Sequence, residues 1–229
     1  GFLKLAYDAI IGDQAISGTF DKFLGSYVLL ERQNLEDLIT RLSDEEDTAN
    51  NSGNTGNSSD NNDNENGLRG NVFGSSMSMF VFIKNSIKRC TVFSKGITFL
   101  ALSKELKVCM QQYGELLKKR CPKMEKIPSI YPTGGISNSF YPINRGNEVN
   151  ICYMINTCEY CADVVPQLEQ MIKTKITLEL VDKVDFNTEC DLFMDLVAYG
   201  LKVLVSGIMY RINNAFRNMA SISWSSLNQ

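Results

Sequence analysis

Cys158-Glu159-Tyr160-Cys161 is the one arrangement in this sequence whose residue types and spacing match known chemistry. A CxxC pair serves either as a redox dithiol or as half of a zinc site. A redox pair belongs at the start of a helix that follows a strand, where the dipole lowers the thiol pKa. A zinc site needs a second pair of ligands. Here both cysteines fall in the middle of an apolar helical stripe, at i and i+3, with Cys152 nearby, Cys190 as a further candidate and no second CxxC. Core packing is the favoured reading, because a free cysteine behaves as a small buried hydrophobe. A thiol-based zinc or redox centre stays open as the alternative.

The rest of the inventory is poor in reactive groups. The chain of 229 residues contains no histidine, which removes Ser-His-Asp and Cys-His nucleophiles, imidazole bases and His-containing metal sites. Lys118, Lys119, Arg120, Lys123 and Lys126 form a basic cluster. It reads either as a contact for anionic lipid or an acidic partner, or as a solvated helix end where cations offset the dipole. Lys84, Lys88 and Arg89 read as a solvated face. Gly134-Gly135 lacks the Lys-Ser/Thr of a phosphate loop and reads as a turn. The acids from Glu179 to Asp195 gather around a helix start, where they favour the dipole, and Trp224 reads as a packing anchor. No catalytic, cofactor-binding or metal-ligating residue is assigned.

These side chains are carried on elements whose apolar residues recur with helical spacing. Leu24, Val28, Leu35, Leu38 and Leu42 share one face, with Glu31 as the exception. Phe80, Ile83, Ile87 and Cys90 form a second stripe, and Phe99, Leu102, Leu106, Cys109, Tyr113 and Leu116 a third. A fourth joins Ile151, Met154, Cys158, Cys161, Val165, Leu168 and Ile172, with Pro166 expected to kink or divide its helix. The last runs from Cys190 through Phe193, Val197, Leu201, Leu204, Ile208, Ile212 and Ala215 to Met219, averaging close to 3.6 residues per turn. Ser75 and Ser76 are expected to cap one helix. Asn187-Thr188, with Asp191 as a weak capping box, are expected to cap another. The predicted fold is all-α, an elongated helical bundle or rod.

Composition divides the chain. Asn50 to Asn66 consists only of Asn, Ser, Gly, Thr, Asp and Glu, and cannot bury enough apolar surface to offset its ordering entropy. The predicted organisation is a helical segment over 1–49, a disordered Asn-rich insertion over 50–72 and a helical hairpin region over 73–121. A Pro/Gly-rich connector over 122–146 and a helical segment over 147–229 follow. Ser43 to Gly67 holds seven of the 26 acids and no base. The remaining 19 acids face 23 bases, so the acidic pI of about 5.2 belongs to the insertion. A net charge of −3 argues against nucleic acid as a partner. The most apolar stretch, Leu192 to Tyr210, contains Asp195 and Lys202. The opening at Gly1 reads as the start of an internal piece of a longer protein. Removing Asn50 to Asn66 should leave the thermal midpoint nearly unchanged; a drop of several degrees would show that the segment contributes to the core.

The run Val149-Asn150-Ile151-Cys152-Tyr153-Met154-Ile155-Asn156-Thr157-Cys158-Glu159-Tyr160-Cys161, followed by Gln167-Leu168-Glu169, resembles the vacuolar protein sorting-associated protein 53 family. That family carries a similar Ile-Leu-Asn-Thr-Ala-Glu-Tyr-Cys run and a Gln-Leu-Glu shortly after it. Further similarity lies in Glu189-Cys190-Asp191-Leu192-Phe193, Met79 to Lys84, Cys90 to Ser94, Tyr27 and Leu35-Glu36-Asp37-Leu38-Ile39. The match covers roughly residues 17–49, 74–119 and 147–226. The family position of Cys158 is commonly alanine, which weakens thiol chemistry there.

The resemblance implies a non-catalytic segment of a subunit of the Golgi-associated retrograde protein complex, shared with an endosomal recycling complex. The implied partners are vacuolar protein sorting-associated proteins 51, 52 and 54, or syndetin, with SNAREs and small GTPases engaged by the whole complex. The implied location is the cytoplasmic face of the trans-Golgi network and endosomes, with peripheral membrane association.

Overall fold

The computed structural model describes residues 13–51, 71–121, 143 and 147–222. Most of the Asn-rich insertion, nearly all of the connector, Lys123, Lys126 and Trp224 lie outside the described residues. Five α-helices and one 3-10 segment account for nearly everything described, with no strand among the described residues. They are α1 (Asp13–Asn51), α2 (Gly74–Phe93), α3 (Ile97–Arg120), α4 (Asn147–Lys173) and α5 (Asn187–Ala220), with the 3-10 segment Leu178–Lys183 between α4 and α5.

The apolar stripes dictate how the helices meet. On α2, Phe80, Ile83, Ile87 and Cys90 are buried; on α3, Phe99, Leu102, Leu106, Cys109 and Tyr113 are buried. Helices with one such face gain stability only by pressing it against another. Three residues join α2 to α3, and the buried Ser75–Tyr113 hydroxyl pair, 2.7 Å apart, ties the start of α2 to the far end of α3. The two therefore run antiparallel. Tyr27 meets Phe93 edge-on while Arg32 bonds Glu105, so α1 runs against α2 and alongside α3. Phe73 stacks on Tyr153 and Phe80 meets Tyr160, which sets α4 parallel to α2. The α4–α5 pair is antiparallel, with Cys190 near Ala162 at one end and Arg211 paired to Glu148 at the other. The helices alternate in direction along the chain, and α3 touches all four others. It is the centre of the bundle.

Two glycines allow α5 to approach its neighbours closely. A Cβ at Gly200 would lie 2.6 Å from Met154 Cε and 2.7 Å from Ile155 Cγ1. One at Gly207 would lie 2.3 Å from Ile143 Cδ1. The absent side chains make room for α4 and for the end of the connector.

Several local expectations need correction. Pro166 does not divide its helix: α4 runs unbroken from Asn147 to Lys173. Proline has no N–H to give to the carbonyl four residues back, and that carbonyl, on Ala162, instead lies 3.6 Å from the Cys190 thiol, which donates to it. The proline ring itself faces solvent. Replacing Pro166 with Ala should stabilise the chain by about 2 kcal/mol, read by urea unfolding, and should lessen the effect of Cys190→Ala. Equal effects of Cys190→Ala in both backgrounds would exclude this compensation.

The serine caps fail as well. Helix α2 begins at Gly74 without a side-chain cap; Ser76 donates back to the Phe73 carbonyl and Ser75 is taken by Tyr113. At α5 the predicted capping box is absent, and Asp185 accepts from the Asn187 N–H instead.

Candidate interaction surface

The CxxC pair sits on the inner face of α4, where Cys158 and Cys161 are both fully buried. Burial in apolar surroundings disfavours the thiolate. It pushes the Cys158 thiol up to about 12 and the Cys161 thiol well above its ordinary value, with each neighbouring sulfur adding to the effect. Cys90 and Cys109 are also pushed up to about 12 by burial, and Cys121 to about 11. A nucleophilic or metal-binding sulfur must first lose its proton, and these hold theirs. Among the described residues, no three cysteine, aspartate or glutamate side chains converge as metal ligands. Ellman's reagent at about pH 8 should find one fast thiol in the native chain, exposed Cys152, and a slower half-buried Cys190. The other five should react only after denaturation, and rapid native labelling of four or more would contradict their burial.

Three residues of the basic cluster, Lys118, Lys119 and Arg120, are described; Lys123 and Lys126 lie outside the described residues. Lys118 and Lys119 are exposed at the end of α3, with Lys118 3.9 Å from Glu115. Arg120 turns inward, its guanidinium 5.0 Å from the centre of the Phe73 ring. Burial lowers its pKa to about 10. Arg120 therefore packs against Phe73, at the start of α2. Arg89, read from the sequence as part of a solvated face, is exposed and also reaches across to α1.

Of the packing stripe, Ile151, Val165 and Leu168 are buried along with the two α4 cysteines. On α3, Leu116 is half-buried against the core and the fully buried position is the next one, Leu117. The exception on α1 becomes its anchor. Glu31 is buried, accepts from Ser86 at 2.8 Å and takes two hydrogen bonds from the Arg89 guanidinium, at 2.9 and 2.8 Å. Burial alone would raise its carboxyl pKa, but these donors outweigh it and hold the carboxyl below its usual value. The next residue, Arg32, forms a two-point bridge to Glu105 on α3, at 2.8 and 2.6 Å. At the start of α5, buried Glu189 accepts from Gln111 at 2.7 Å and lies 3.3 Å from Lys107 Nζ. Each polar group that the bundle encloses at these points joins one helix to another.

What is left for a partner is surface. An open groove of about 820 Å³ lies between α1, α3 and the start of α5, with Ile39, Val108, Leu116 and Leu192 among its lining residues and Glu36, Glu115 and Lys119 at its edges. A second apolar surface runs along α5, where Leu201, Ile208, Ile212 and Met219 are exposed although they belong to the predicted stripe. The stretch Leu178–Met219 is also long and apolar enough to cross a membrane by length and composition, with a mean hydropathy of 1.7 over its most apolar window.

A helical body whose buried polar groups bind helices together is the setting for the comparisons with known proteins. The chain is similar to vacuolar protein sorting-associated protein 53 A of Arabidopsis thaliana. The two are 28% identical over 212 residues, which cover 93% of this chain. The alignment takes in only 24% of the length of protein 53 A, so the chain spans about a quarter of that relative. The similarity therefore extends well beyond the Val149–Glu169 run and covers most of the chain. No protein-family model matches the chain. No solved structure matches it either.

Proposed function

We propose that this chain is a non-catalytic helical segment of a vesicle-tethering subunit, acting as a spacer and an assembly surface. The observation that carries this reading is the similarity to protein 53 A along nearly the whole chain. The arrangement of the polar groups agrees with it: buried Glu31 and Glu189 are used as bridges between helices, and the thiols of the CxxC are held protonated. Helix α1, with 39 residues, is about 58 Å long at 1.5 Å per residue, a length suited to separating two attachment points.

In its finer form the proposal is retrograde transport from endosomes to the trans-Golgi network, together with endosomal recycling. The subunit would work beside vacuolar protein sorting-associated proteins 51, 52 and 54, or syndetin. SNAREs and small GTPases would be recruited by the complex as a whole, on the cytoplasmic face of those membranes. Affinity capture of the tagged full-length protein from cells should recover the sibling subunits in comparable amounts. Recovery of a different trafficking complex, or of none of these subunits, would overturn the assignment.

A further inference from the structure

Three apolar side chains stand further out into solvent than any other large apolar residue described. Val92 is 85% exposed, Ile97 79% and Leu178 89%. Val92 and Ile97 flank the turn between α2 and α3. Leu178 is distant in sequence but not in space: the Thr177 N–H donates to the Lys95 carbonyl in that turn, at 2.9 Å, and holds the two loops together. One end of the bundle therefore carries a group of protruding apolar residues, which marks an interaction site more than scattered exposure does.

The charge around them is of one sign. Residues 72–104 contain no aspartate or glutamate, in a chain with 26 of them, and carry Lys84, Lys88, Arg89, Lys95 and Lys104. On α2 the buried side holds Met79, Ile83, Ile87 and Cys90, so the opposite side presents Val81, Lys84, Lys88 and Val92, at steps of 3, 4 and 4, all exposed. Lys95 follows in the turn, and half-exposed Lys175 lies two residues before Thr177. Arg89 is paired with Glu31, whereas Lys84, Lys88 and Lys95 have no acidic partner among the described residues. Glu179 is the one acid within two residues in sequence of any of these lysines or of the three apolar residues.

An occupant of this surface must take apolar side chains and answer several lysines at once. The described clefts lie elsewhere, between α1, α3 and α5 and between α1 and α2. A folded acidic partner would need separate pockets placed to match separate knobs. The boundary layer of a bilayer accepts such knobs in any arrangement, while lysines on long flexible stems reach the phosphates. We propose that the outer side of α2 and the turn after it form a contact surface for a bilayer containing anionic lipid. Val92, Ile97 and Leu178 enter the boundary between headgroups and acyl chains, and Lys84, Lys88 and Lys95 meet the headgroup phosphates. The inference stands independently of the tethering reading, and vesicle binding is a separate readout from subunit capture.

Spun down with vesicles of phosphatidylcholine and phosphatidylserine, the 229-residue chain should sediment with the lipid. It should do so far less with phosphatidylcholine alone or at high salt, which screens the lysines. Lys88→Glu should weaken binding by on the order of 10-fold. The double variant Val92→Ser, Leu178→Ser should weaken it by a similar factor, through lost apolar contact. Far-ultraviolet circular dichroism should be unchanged in both, because all three side chains are exposed. Lys202→Glu, the same change of net charge at an exposed position on α5, should bind as the wild type does. A wild-type chain that ignores anionic vesicles, as it would if this face took an acidic protein, would overturn the proposal. So would full binding by the Val92→Ser, Leu178→Ser variant, since the lipid would then be held elsewhere on the chain. Equal losses from Lys88→Glu and Lys202→Glu would overturn it too, because net charge alone would then govern the binding.

Discussion

Leu106→Ala lowers the stability of the chain by about 2–5 kcal/mol. Leu106 is fully buried on α3, the helix that touches all the others, so the missing methyl groups leave a void that no single helix can move to fill. For a chain of this size the loss lowers the melting temperature by roughly 4–20 °C, at about 2–4 °C per kcal/mol. Val108→Ala, two residues along on the exposed face, should change stability by less than about 0.5 kcal/mol. The contrast between neighbouring positions is the informative part: similar losses at both would mean that α3 is not oriented as described. Thermal melts followed by circular dichroism decide it.

Arg89→Met is expected to have the second large effect, with a distinctive pH dependence. Removing the guanidinium strips two hydrogen bonds from a carboxylate that remains buried, leaving Ser86 as a hydrogen-bond donor to it. An unpaired buried charge of this kind costs about 3 kcal/mol near neutral pH. In the wild-type chain the folded carboxyl has a lower pKa than the unfolded one. The stability from this group is therefore present above the unfolded value of 4.5, and is lost as the pH falls through the folded value. Without Arg89, burial becomes the larger influence and places the folded pKa above the unfolded one. The variant should then recover part of its deficit on acidification from neutrality toward about pH 5, while the wild type gains nothing from this group over the same range. Parallel urea midpoints for the two proteins across that range would remove the Glu31–Arg89 pair from the account.

The helices were legible because burial imposes a period. The α2, α3 and α4 stripes name residues that the structure buries, and Phe80, Leu106 and Val165 could be found without any tertiary information. Glu31 was visible as an anomaly on its stripe, but its partner Arg89 lies 58 residues away on a helix face that looks solvated. Pairing across that distance depends on how helices cross, which no local spacing records. The caps failed for a related reason: Ser75 is drawn off by Tyr113, a tertiary partner stronger than its own helix end.

Pro166 survives within α4 because Cys190, on another helix, donates to the carbonyl it leaves free. On α5, the single predicted stripe mixes buried Phe193 with exposed Leu201, Ile208, Ile212 and Met219, because which side of the helix is covered depends on where α4 lies. The candidate surface was the least legible part. Exposure of an apolar residue is a property of the assembled bundle, and so is the turn of the Arg120 guanidinium onto Phe73.

Glu31 and Arg32 are adjacent in sequence yet hold on to different helices, α2 through Arg89 and α3 through Glu105. Because those two helices run in opposite directions, a pull along α1 drags one anchorage toward the tip of its helix and the other toward the root. Neither can yield by sliding in step with its neighbour, so the load is shared between them. The middle of α1 is thus a rivet, and tension applied at its end would pass into the whole body of the bundle before the helix could slip free.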